Sequence, residues 1–396
     1  MSSIKSVVDE NMCTGCGLCA QSKEGMQFDP EGYLRPLEGI SDEISASCCP
    51  GIKVQHHNSS SNYDPYWGPI KYAKTGYAGD SNLRDKASSG GVISSILIHL
   101  LKNKKIDFVI QVGADKENPI VNDVYINSAE LEVKNCAGSR YSPSSPLSLI
   151  RGLINSPSSK KYAIVGKPCD IAAIRTLKTL SPSFDSMFPY LISFFCAGIP
   201  SINATEDILS RFEISSKDLI EFKYRGDGWP GLTKAVTKSG EVKDMTYNDS
   251  WGNILNKKLQ PRCKICADGI GEAADIVCGD AWYENDASGY PSFEERAGRS
   301  LVIVRTAVGD EIIKSCEIAK DLVTESYDKH NLSKIQPFQK ERKELSFSRH
   351  LALYFAGRSA TKFYGYQLFK LSLKGGFYKN IRSFLGALKR SLGKKI

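Results

Sequence analysis

The sequence contains no apolar run long enough to cross a lipid bilayer. Its longest apolar stretches, GGVISSILIHLL and PYLISFFCAGI, fall short of the about 20 residues that a membrane-spanning helix needs. The opening residues, MSSIKSVVDEN, also lack the apolar segment of a secretory signal. We therefore expect a cytoplasmic protein, in a compartment that keeps thiols reduced.

Repeats and long low-complexity segments are also missing, which argues against a solenoid or a disordered chain. With 396 residues, 41% of them hydrophobic, the chain can bury a sizeable core and form two or three domains. Histidine is scarce, with five residues. Cysteine is abundant, with twelve, and in a reducing compartment its spacing points to metal ligation or redox chemistry rather than to disulfides.

The clearest cysteine motif is CTGCGLC, which contains Cys13, Cys16 and Cys19. Three thiolates at this spacing can converge on one iron–sulfur cubane, and the two glycines let the backbone wrap closely. The fourth ligand of such clusters often precedes a proline, which predicts Cys49 in SASCCPGI, with Cys48 as the spare.

A zinc knuckle is the alternative at this motif, but no nearby histidine completes a zinc set. The following residues also lack a second copy of the motif, so we expect a ferredoxin-like module with a single 4Fe-4S cluster. The stretch HHNSSSNYDPYWGP, which includes His56 and His57, is interpreted as a solvated linker that ends this module near residue 62.

Beyond the linker, strand and helix patterns alternate. IKYAKTGYA, IDFVIQVGA, PIVNDVYIN, KKYAIVG and MFPYLISFFCAG indicate strands, GGVISSILIHLLKN indicates a helix, and Pro168 starts another. The fold prediction is an α+β or α/β chain with an N-terminal ferredoxin-like module, a mixed α/β body and a basic helical tail. The predicted divisions are 1–62, 63–155, 156–330 and 331–396.

Four further cysteines occur where the backbone of this body is expected to turn. Cys169 and Cys196 follow strands, and Cys263 and Cys266 form RCKICAD. Ends of neighbouring strands meet at one edge of an α/β sheet, so we predict that these four hold a second cluster. The alternative is that Cys169 and Cys196 are small buried apolar residues. Three others, Cys136, Cys278 and Cys316, are predicted to be structural.

Seven motifs in order resemble the beta-subunit family of coenzyme F420 (deazaflavin) hydrogenases and dehydrogenases. They are CTGCGLC with a distant CPG, SSGGVISSIL, GSRYSPS, VGKPCDIAAIR, FFCAGIPS, YRGDGWPG and RCKICADGIGEAADIVCGDAW. The resemblance implies bound FAD and cubane clusters, and it supports the second cysteine set as ligands. Two residues depart from the family pattern: Asp170 stands in place of an expected glutamine, and Cys278 in place of a small residue.

Ser88, Ser89, Gly90 and Gly91 precede an apolar helix whose N-terminal end can face an anion, and the resemblance implies that this anion belongs to the bound flavin. An ordinary serine N-cap is the alternative there. Ser139, Arg140 and Tyr141 form a second predicted contact, in which Arg140 can pair bidentately with a pyrophosphate.

Two further motifs have less specific interpretations. Arg225 is predicted either to pair with Asp227 in a turn or to face an acidic substrate. GIGEAA, residues 269–274, fits a dinucleotide-binding glycine pattern but follows a cysteine loop rather than a strand, which predicts an ordinary turn into ADIVCGDAW.

Positive charge is concentrated at the end of the chain. Residues 341–396 hold thirteen Lys and Arg against two acidic residues, which gives this segment a net charge of +11. The whole chain has a net charge of only +8. This basic tail could cap the body, lie on an anionic membrane surface or dock an acidic partner; nucleic-acid binding is the weakest option. Removing the chain beyond about Phe347 is expected to leave iron and flavin unchanged.

These observations predict an iron–sulfur flavoprotein oxidoreductase. It would pass electrons between a low-potential donor, ferredoxin or a reduced deazaflavin, and a small organic substrate through 4Fe-4S clusters and FAD. The alternative is an electron-transfer subunit without a substrate of its own that feeds a partner enzyme.

Overall fold

The structure is a computed structural model that describes residues 3–56, 63–156, 159–284 and 290–393. Residues 57–62 of the predicted linker, His57 among them, lie outside these residues. The α-helices of the described chain are α1 Ile4–Asp9, α2 Glu43–Cys48, α3 Ser81–Lys86, α4 Val92–Lys102, α5 Glu130–Asn135, α6 Ile150–Asn155, α7 Pro168–Leu180, α8 Pro182–Met187, α9 Ile202–Phe212, α10 Pro261–Lys264, α11 Ala307–Ile318, α12 Leu332–Ile335, α13 Pro337–Phe355, α14 Leu368–Lys374 and α15 Phe377–Leu392.

The strands of the same residues are β1 Met26–Phe28, β2 Leu34–Pro36, β3 Lys53–Gln55, β4 Tyr63–Asp64, β5 Gly68–Pro69, β6 Tyr72–Ala78, β7 Phe108–Ala114, β8 Asn122–Asn127, β9 Tyr162–Gly166, β10 Tyr190–Phe194, β11 Leu219–Lys223, β12 Thr233–Thr237, β13 Val242–Met245, β14 Ile276–Asp280, β15 Ser300–Val304, β16 Leu322–Tyr327 and β17 Lys362–Tyr364. The predicted strands and the predicted helices α4 and α7 are all present.

An eight-stranded mixed sheet forms the centre of the body, in the order β16-β6-β15-β14-β10-β9-β7-β8. Strands β7, β9, β10 and β14 are parallel to one another. Strand β6 runs the same way, because both it and β14 pair antiparallel with β15. The mixed α/β class predicted from the sequence is therefore confirmed. The carboxyl ends of five strands lie at one edge, where α/β sheets commonly bind ligands.

Helices α4 and α7 position this edge. Helix α4 follows Gly91, whose φ of +73° is accessible to glycine, and its apolar side chains pack into the central core with β9 and β14. Helix α7 starts with Pro168, shortly after β9. Proline suits the first helical position because an N–H there would have no intrahelical partner. The residues 269–274 form turns that lead into β14, as predicted.

The two ends of the described chain pack on the same body. Strand β3 of the N-terminal region pairs parallel with β17 of the C-terminal region. The basic tail is largely helical, comprising α13, α14 and α15 around this pairing. Whether residues 1–62 constitute a ferredoxin-like module stays a prediction. Within the described residues, no helix is both long and apolar enough to span a bilayer.

Candidate functional site: two groups of cysteines at the sheet edge

The second predicted cysteine set meets at the edge formed by the carboxyl ends of β9 and β10. Cys169 lies in the first turn of α7 and Cys196 lies two residues after β10. Helix α10 and the turn after it carry Cys263 and Cys266 to the same place, and all four side chains line one small cavity. The structure therefore brings these four thiols together, although they are spread over almost a hundred residues of sequence.

Burial dominates the electrostatics of this cavity. It raises the pKa of the Cys196 thiol to about 12 and that of Cys169 well above its usual range. Charges on neighbouring thiols add to the increase, since Cys263 raises the pKa of both. Burial therefore disfavours free thiolates at Cys169 and Cys196.

A buried arginine lies against the same thiols. Arg262 is 1% exposed, and its Nη2 donates to the carbonyl of Pro50 at 3.3 Å. Its Nε is buried without a hydrogen-bond partner in the described part of the chain. Thiolate charge on Cys266, Cys169 and Cys263 raises the pKa of its guanidinium. A buried cation needs nearby negative charge, and the cysteine cavity is the source that adjoins Arg262.

The N-terminal cysteines form a second group. The pKa of Cys19 is raised to about 12 by burial and by charge on Cys13 and Cys49, and the pKa of Cys49 is raised to about 11 by burial and by Cys13. Charge on Cys49 and Cys19 also raises the pKa of Cys16. These mutual effects place the four predicted ligands within electrostatic reach of each other.

Glycines shape the loop that carries this group. Gly15 and Gly17 have φ of +72° and +87°, values that other residues adopt at a cost. A Cβ on Gly17 would lie 2.9 Å from the backbone nitrogen of Ser148. The hydroxyl of Ser145 donates to the carbonyl of Gly15 at 2.7 Å. The close approach predicted for CTGCGLC is therefore present, and it fastens the loop to the segment before α6.

The two cysteine groups adjoin each other. Ile265, between Cys263 and Cys266 in the sequence, belongs to the same apolar cluster as Cys13 and Cys49. Thr14 of the N-terminal loop lines the cavity of the other group. Apolar packing, rather than solvent, therefore separates the two groups along this contact.

Helix α13 covers the cysteine group of the sheet edge, which is Cys169, Cys196, Cys263 and Cys266, from the outside. Three of its side chains donate to successive carbonyls of the cysteine loop: Arg342 to Cys263 at 3.4 Å, Arg349 to Lys264 at 3.1 Å and Ser346 to Ile265 at 3.1 Å. On the same face, Gln339 donates to the carbonyl of Cys196 at 3.4 Å. We call these four residues the α13 clamp.

The α13 clamp was missed by sequence reasoning, which treated the basic tail as separate from the redox site. The expectation that the chain beyond Phe347 can be removed without effect on iron does not fit this geometry, because Arg349 would be lost. The residues 342, 346 and 349 share one helix face, but arginine and serine at such spacing also occur on solvated helices. The contact of these side chains with the cysteine loop becomes visible only when the structure places the carbonyls of Cys263, Lys264 and Ile265 beside them.

The predicted flavin contacts also converge at this edge. The hydroxyls of Ser88 and Ser139 lie 2.6 Å apart, which joins the two segments that were predicted separately. Ser89 lies 3.1 Å from the hydroxyl of Ser300 at the start of β15. That hydroxyl accepts the Gly90 N–H at 3.0 Å, so this N–H already has a partner.

Arg140 has a full set of protein partners. Its guanidinium donates to the side-chain oxygen of Asn122 at 2.7 Å and to the carbonyls of Phe222, Pro119 and Val121 at 3.0, 2.6 and 3.1 Å. Arg140 thus ties β8 to β11. The predicted bidentate contact with a pyrophosphate would require several of these bonds to be exchanged.

Arg225 pairs with a residue that the sequence did not suggest. Its two terminal nitrogens donate to the carboxylate of Asp280 at 2.9 and 3.1 Å, whereas Asp227 pairs with Lys223 at 2.7 Å. The predicted turn with Asp227 is wrong, because the end of β14 brings Asp280 to a side chain that is almost fully buried. Tyr141 accepts a hydrogen bond from Arg225 at 3.2 Å.

Aromatic rings surround this ion pair. Trp229 and Trp282 stack with centroids 4.8 Å apart, and the indole N–H of Trp229 donates to Asp280 at 2.7 Å. The guanidinium of Arg225 lies over the rings of Trp282 and Tyr247. Trp229, Trp282 and Arg225 are all buried, so the stacked rings and the cation–π contacts stabilise the Arg225–Asp280 pair inside the fold.

His56 is packed rather than solvated, which corrects its interpretation as a linker residue. Its ring stacks on Tyr366 at 4.3 Å and its Nε2 lies 3.2 Å from the carboxylate of Glu272. Lys343 of α13 donates to the same carboxylate. Burial raises the pKa of Glu272 to about 7.

The remaining cysteines behave as structural residues. Cys278 and Cys316 lie in the central apolar core, Cys48 is 2% exposed, and Cys136 accepts from the Asn127 amide at 3.5 Å. All twelve cysteines of the sequence are described and none is in a disulfide. Within the described ranges, no three His, Cys, Asp or Glu side chains have the geometry of a single-ion site.

The residues that build this mixed α/β architecture and its cysteine-lined edge match a known protein family. Residues 73–151 match the family described as coenzyme F420 hydrogenase/dehydrogenase, beta subunit N-term, and residues 159–330 match its C-terminal counterpart. The two matches together cover more than half of the chain. The chain belongs to the coenzyme F420 hydrogenase/dehydrogenase beta-subunit family.

Relatives with given activities are oxidoreductases or their subunits. The coenzyme F420 hydrogenase subunit beta of Methanococcus voltae is 28% identical over 70% of this chain and 93% of its own length. The coenzyme F420-dependent sulfite reductase of Methanocaldococcus jannaschii is 25% identical over 85% of this chain, which spans about half (51%) of that relative.

A solved structure shares the fold. A chain of the F420-reducing NiFe hydrogenase complex from Methanosarcina barkeri superposes with a TM-score of 0.58 at 21% identity, covering 74% of this chain and 95% of that one. Both family matches end before the α13 clamp, which begins at residue 339.

Proposed function

We propose that this protein is an iron–sulfur flavoprotein oxidoreductase that passes electrons between a low-potential donor and a small organic substrate. The donor would be ferredoxin or a reduced deazaflavin. When bound, two 4Fe-4S clusters and FAD would supply the one- and two-electron chemistry. The observation that carries the proposal is the convergence of Cys169, Cys196, Cys263 and Cys266 on one cavity beside the N-terminal cysteine group.

The donor set of the cavity fits a cluster. Each of the four cysteines can supply one thiolate, and the positive charge of Arg262 favours a negatively charged thiolate-ligated group. Four thiolates about 2.3 Å from a single zinc ion would crowd within about 4 Å of each other. A cubane instead presents a separate iron to each thiolate, which accommodates a wider arrangement of the thiols.

The protein's own residues would hold and shield the inner group. The α13 clamp fixes three carbonyls of the cysteine loop, which keeps Cys263 and Cys266 directed into the cavity. Its helix also covers the loop from solvent. Arg262 contributes fixed positive charge, which favours the more negative, reduced state of any bound redox centre.

The flavin is proposed to lie along Ser88, Ser89, Gly90, Gly91 and Ser139, with Tyr141 at its border. Support comes from the resemblance and from the Ser88–Ser139 contact, which joins both segments at the sheet edge. Because Arg140 already donates to backbone carbonyls, the flavin phosphates would accept hydrogen bonds mainly from other donors.

An electron-transfer subunit is the second proposed function. Support comes from the relatives, since those named above include subunits of larger F420 enzymes. In that case a partner enzyme would carry the organic substrate. The two functions differ in whether the isolated chain turns over any substrate with an artificial electron donor.

Iron counting in Cys263→Ser tests the proposal. We expect the anaerobically purified parent to contain about eight irons and eight sulfides with one flavin. The variant should retain about four irons, because the N-terminal group is intact, and its flavin should stay oxidised when reduced ferredoxin is added. Cys316→Ser is the matched control, since Cys316 is buried in α11 within the central core cluster, which contains none of the eight proposed ligands.

Two results would contradict the proposal. A parent with about four irons would leave only one cluster. A Cys263→Ser variant whose flavin is reduced at the parent rate would show that the inner cysteines are not needed for electron delivery.

A further inference from the structure

Helix α15 is amphipathic, yet its apolar face lies in solvent. Of its residues, only Ala387 is fully buried. The exposed large apolar side chains, which we call the α15 apolar face, are Phe377 (83% exposed), Tyr378 (78%), Ile381 (41%), Leu385 (56%) and Leu392 (63%). Surface helices normally turn such a face towards the core.

The opposite, polar side of α15 holds the helix to the body. Asn380 accepts a hydrogen bond from the hydroxyl of Ser348, and the hydroxyl of Ser383 accepts from Arg349 at 3.0 Å. Because Phe377, Ile381 and Leu385 are spaced by four residues, they share one side of the helix. The attachment of α15 therefore leaves this apolar side available.

Neighbouring helices extend the exposed apolar surface. Phe369 and Leu373 of α14 are 60% and 70% exposed, and Tyr354 and Phe355 at the end of α13 are 76% and 66% exposed. The ring of Phe355 contacts that of Phe384 in α15. Exposed apolar area spread over three adjoining helices is unusual for a monomeric soluble protein and marks an interaction surface.

The charge of this region selects the kind of partner. The sequence contains no Asp or Glu after Glu344, whereas residues 345–393 contain nine Lys and Arg. Arg382 and Lys389 border the α15 apolar face on the helix. An apolar strip with cations along its border matches the acyl chains and headgroups of an anionic lipid layer. An acidic protein groove would need cations within the contact rather than an apolar strip of this length.

We propose that α14 and α15 form a peripheral docking surface for an anionic lipid bilayer. The apolar side chains enter the boundary between headgroups and acyl chains, and the bordering cations contact lipid phosphates. The inference does not depend on the proposed redox function, since none of these residues belongs to a cysteine group.

Sedimentation of the full-length protein with vesicles tests this surface. The parent is expected to bind vesicles of phosphatidylglycerol and phosphatidylcholine, to bind pure phosphatidylcholine at least about tenfold more weakly, and to lose binding as salt rises. The double variant Ile381→Glu with Leu385→Glu should bind the anionic vesicles at least about tenfold more weakly, because two anchoring side chains are lost and negative charge is added.

Ile318→Glu is the matched control. Ile318 is 85% exposed at the end of α11, outside the tail helices, so its variant should bind as the parent does. Circular dichroism and iron content would confirm that all variants are folded. Failure of the parent to bind anionic vesicles would overturn the proposal, and so would equal weakening of binding by Ile318→Glu.

Discussion

Lys167 and Asp170 form an ion pair of 2.8 Å in which both side chains are almost completely buried. The pair adjoins the cysteine cavity, which Lys167 lines, and charge on Asp170 raises the pKa of both Cys16 and Cys169. Lys167 also donates to the carbonyl of Ser144 at 3.1 Å. Asp170 is thus the counter-ion of a buried lysine beside both proposed cluster sites.

Asp170→Asn should destabilise the protein by about 3 to 5 kcal/mol, because it leaves the charge of Lys167 buried without its partner. Lys167→Met combined with Asp170→Leu should recover most of that loss, since an apolar pair of similar volume avoids both desolvation costs. Denaturant unfolding of the parent and both variants measures the difference. Equal stability of the single variant and the parent would mean that the pair contributes nothing.

Weakening the α13 clamp should release iron selectively. Ser346→Ala with Arg349→Ala removes two hydrogen bonds to the cysteine loop, worth about 2 to 4 kcal/mol together. Iron is then expected to fall from about eight towards about four per chain. Glu341→Gln is the control on the same helix, because its carboxylate contacts Lys379 instead. Retention of all iron in the double variant would refute the role of the clamp.

The two adjacent cysteines Cys48 and Cys49 should respond oppositely to substitution. Cys49→Ala is expected to remove about four irons per chain, as is Cys16→Ala, because each would remove a proposed ligand. Cys48→Ala should keep the iron and cost about 1 kcal/mol of stability through lost packing in the cluster that Cys48 shares with Cys16. Iron analysis and electron paramagnetic resonance of the reduced proteins distinguish the cases. Iron loss in Cys48→Ala alone would reverse the assignment.

His350 should make the protein less stable in mild acid. Burial and the charges of Arg262 and Arg349 lower its pKa from 6.5 to about 4, so below pH 6.5 the unfolded chain binds a proton that the folded chain does not. The free energy of unfolding should fall as the pH drops from about 6.5 to about 4, by about 3 kcal/mol in total. His350→Gln should lack this component when unfolding midpoints are compared across that range.

Local sequence patterns predicted the central sheet well. Runs such as those of β7 and β10 are apolar over a strand's length, and Pro168 announces the start of α7, so the elements could be placed without knowledge of their neighbours. Cysteine spacing predicted the N-terminal group, and the inner group was predicted from cysteines that follow neighbouring strands and from the family resemblance. The order of the sheet strands was not predicted, because pairing depends on contacts between distant segments.

Partners from distant parts of the chain account for what the sequence did not reveal. Arg225 was predicted either to pair with Asp227, which is close in sequence, or to face an acidic substrate, yet β14 brings Asp280 to it from 55 residues away. Ser346 bonds to a carbonyl 81 residues earlier. Backbone carbonyls carry no sequence signature, so a helix that binds them resembles a solvated one.

Strand pairing between β3 and β17 also affects the order of events during synthesis. About 300 residues separate the two strands, and a ribosome needs about 15 to 60 s to add them at its usual rate. During that interval, the segment that carries the N-terminal cysteines has left the ribosome without its C-terminal strand or the helix that covers the inner loop. The N-terminal cysteines therefore pass that interval without the C-terminal strand and helix that pack beside both cysteine groups in the folded chain.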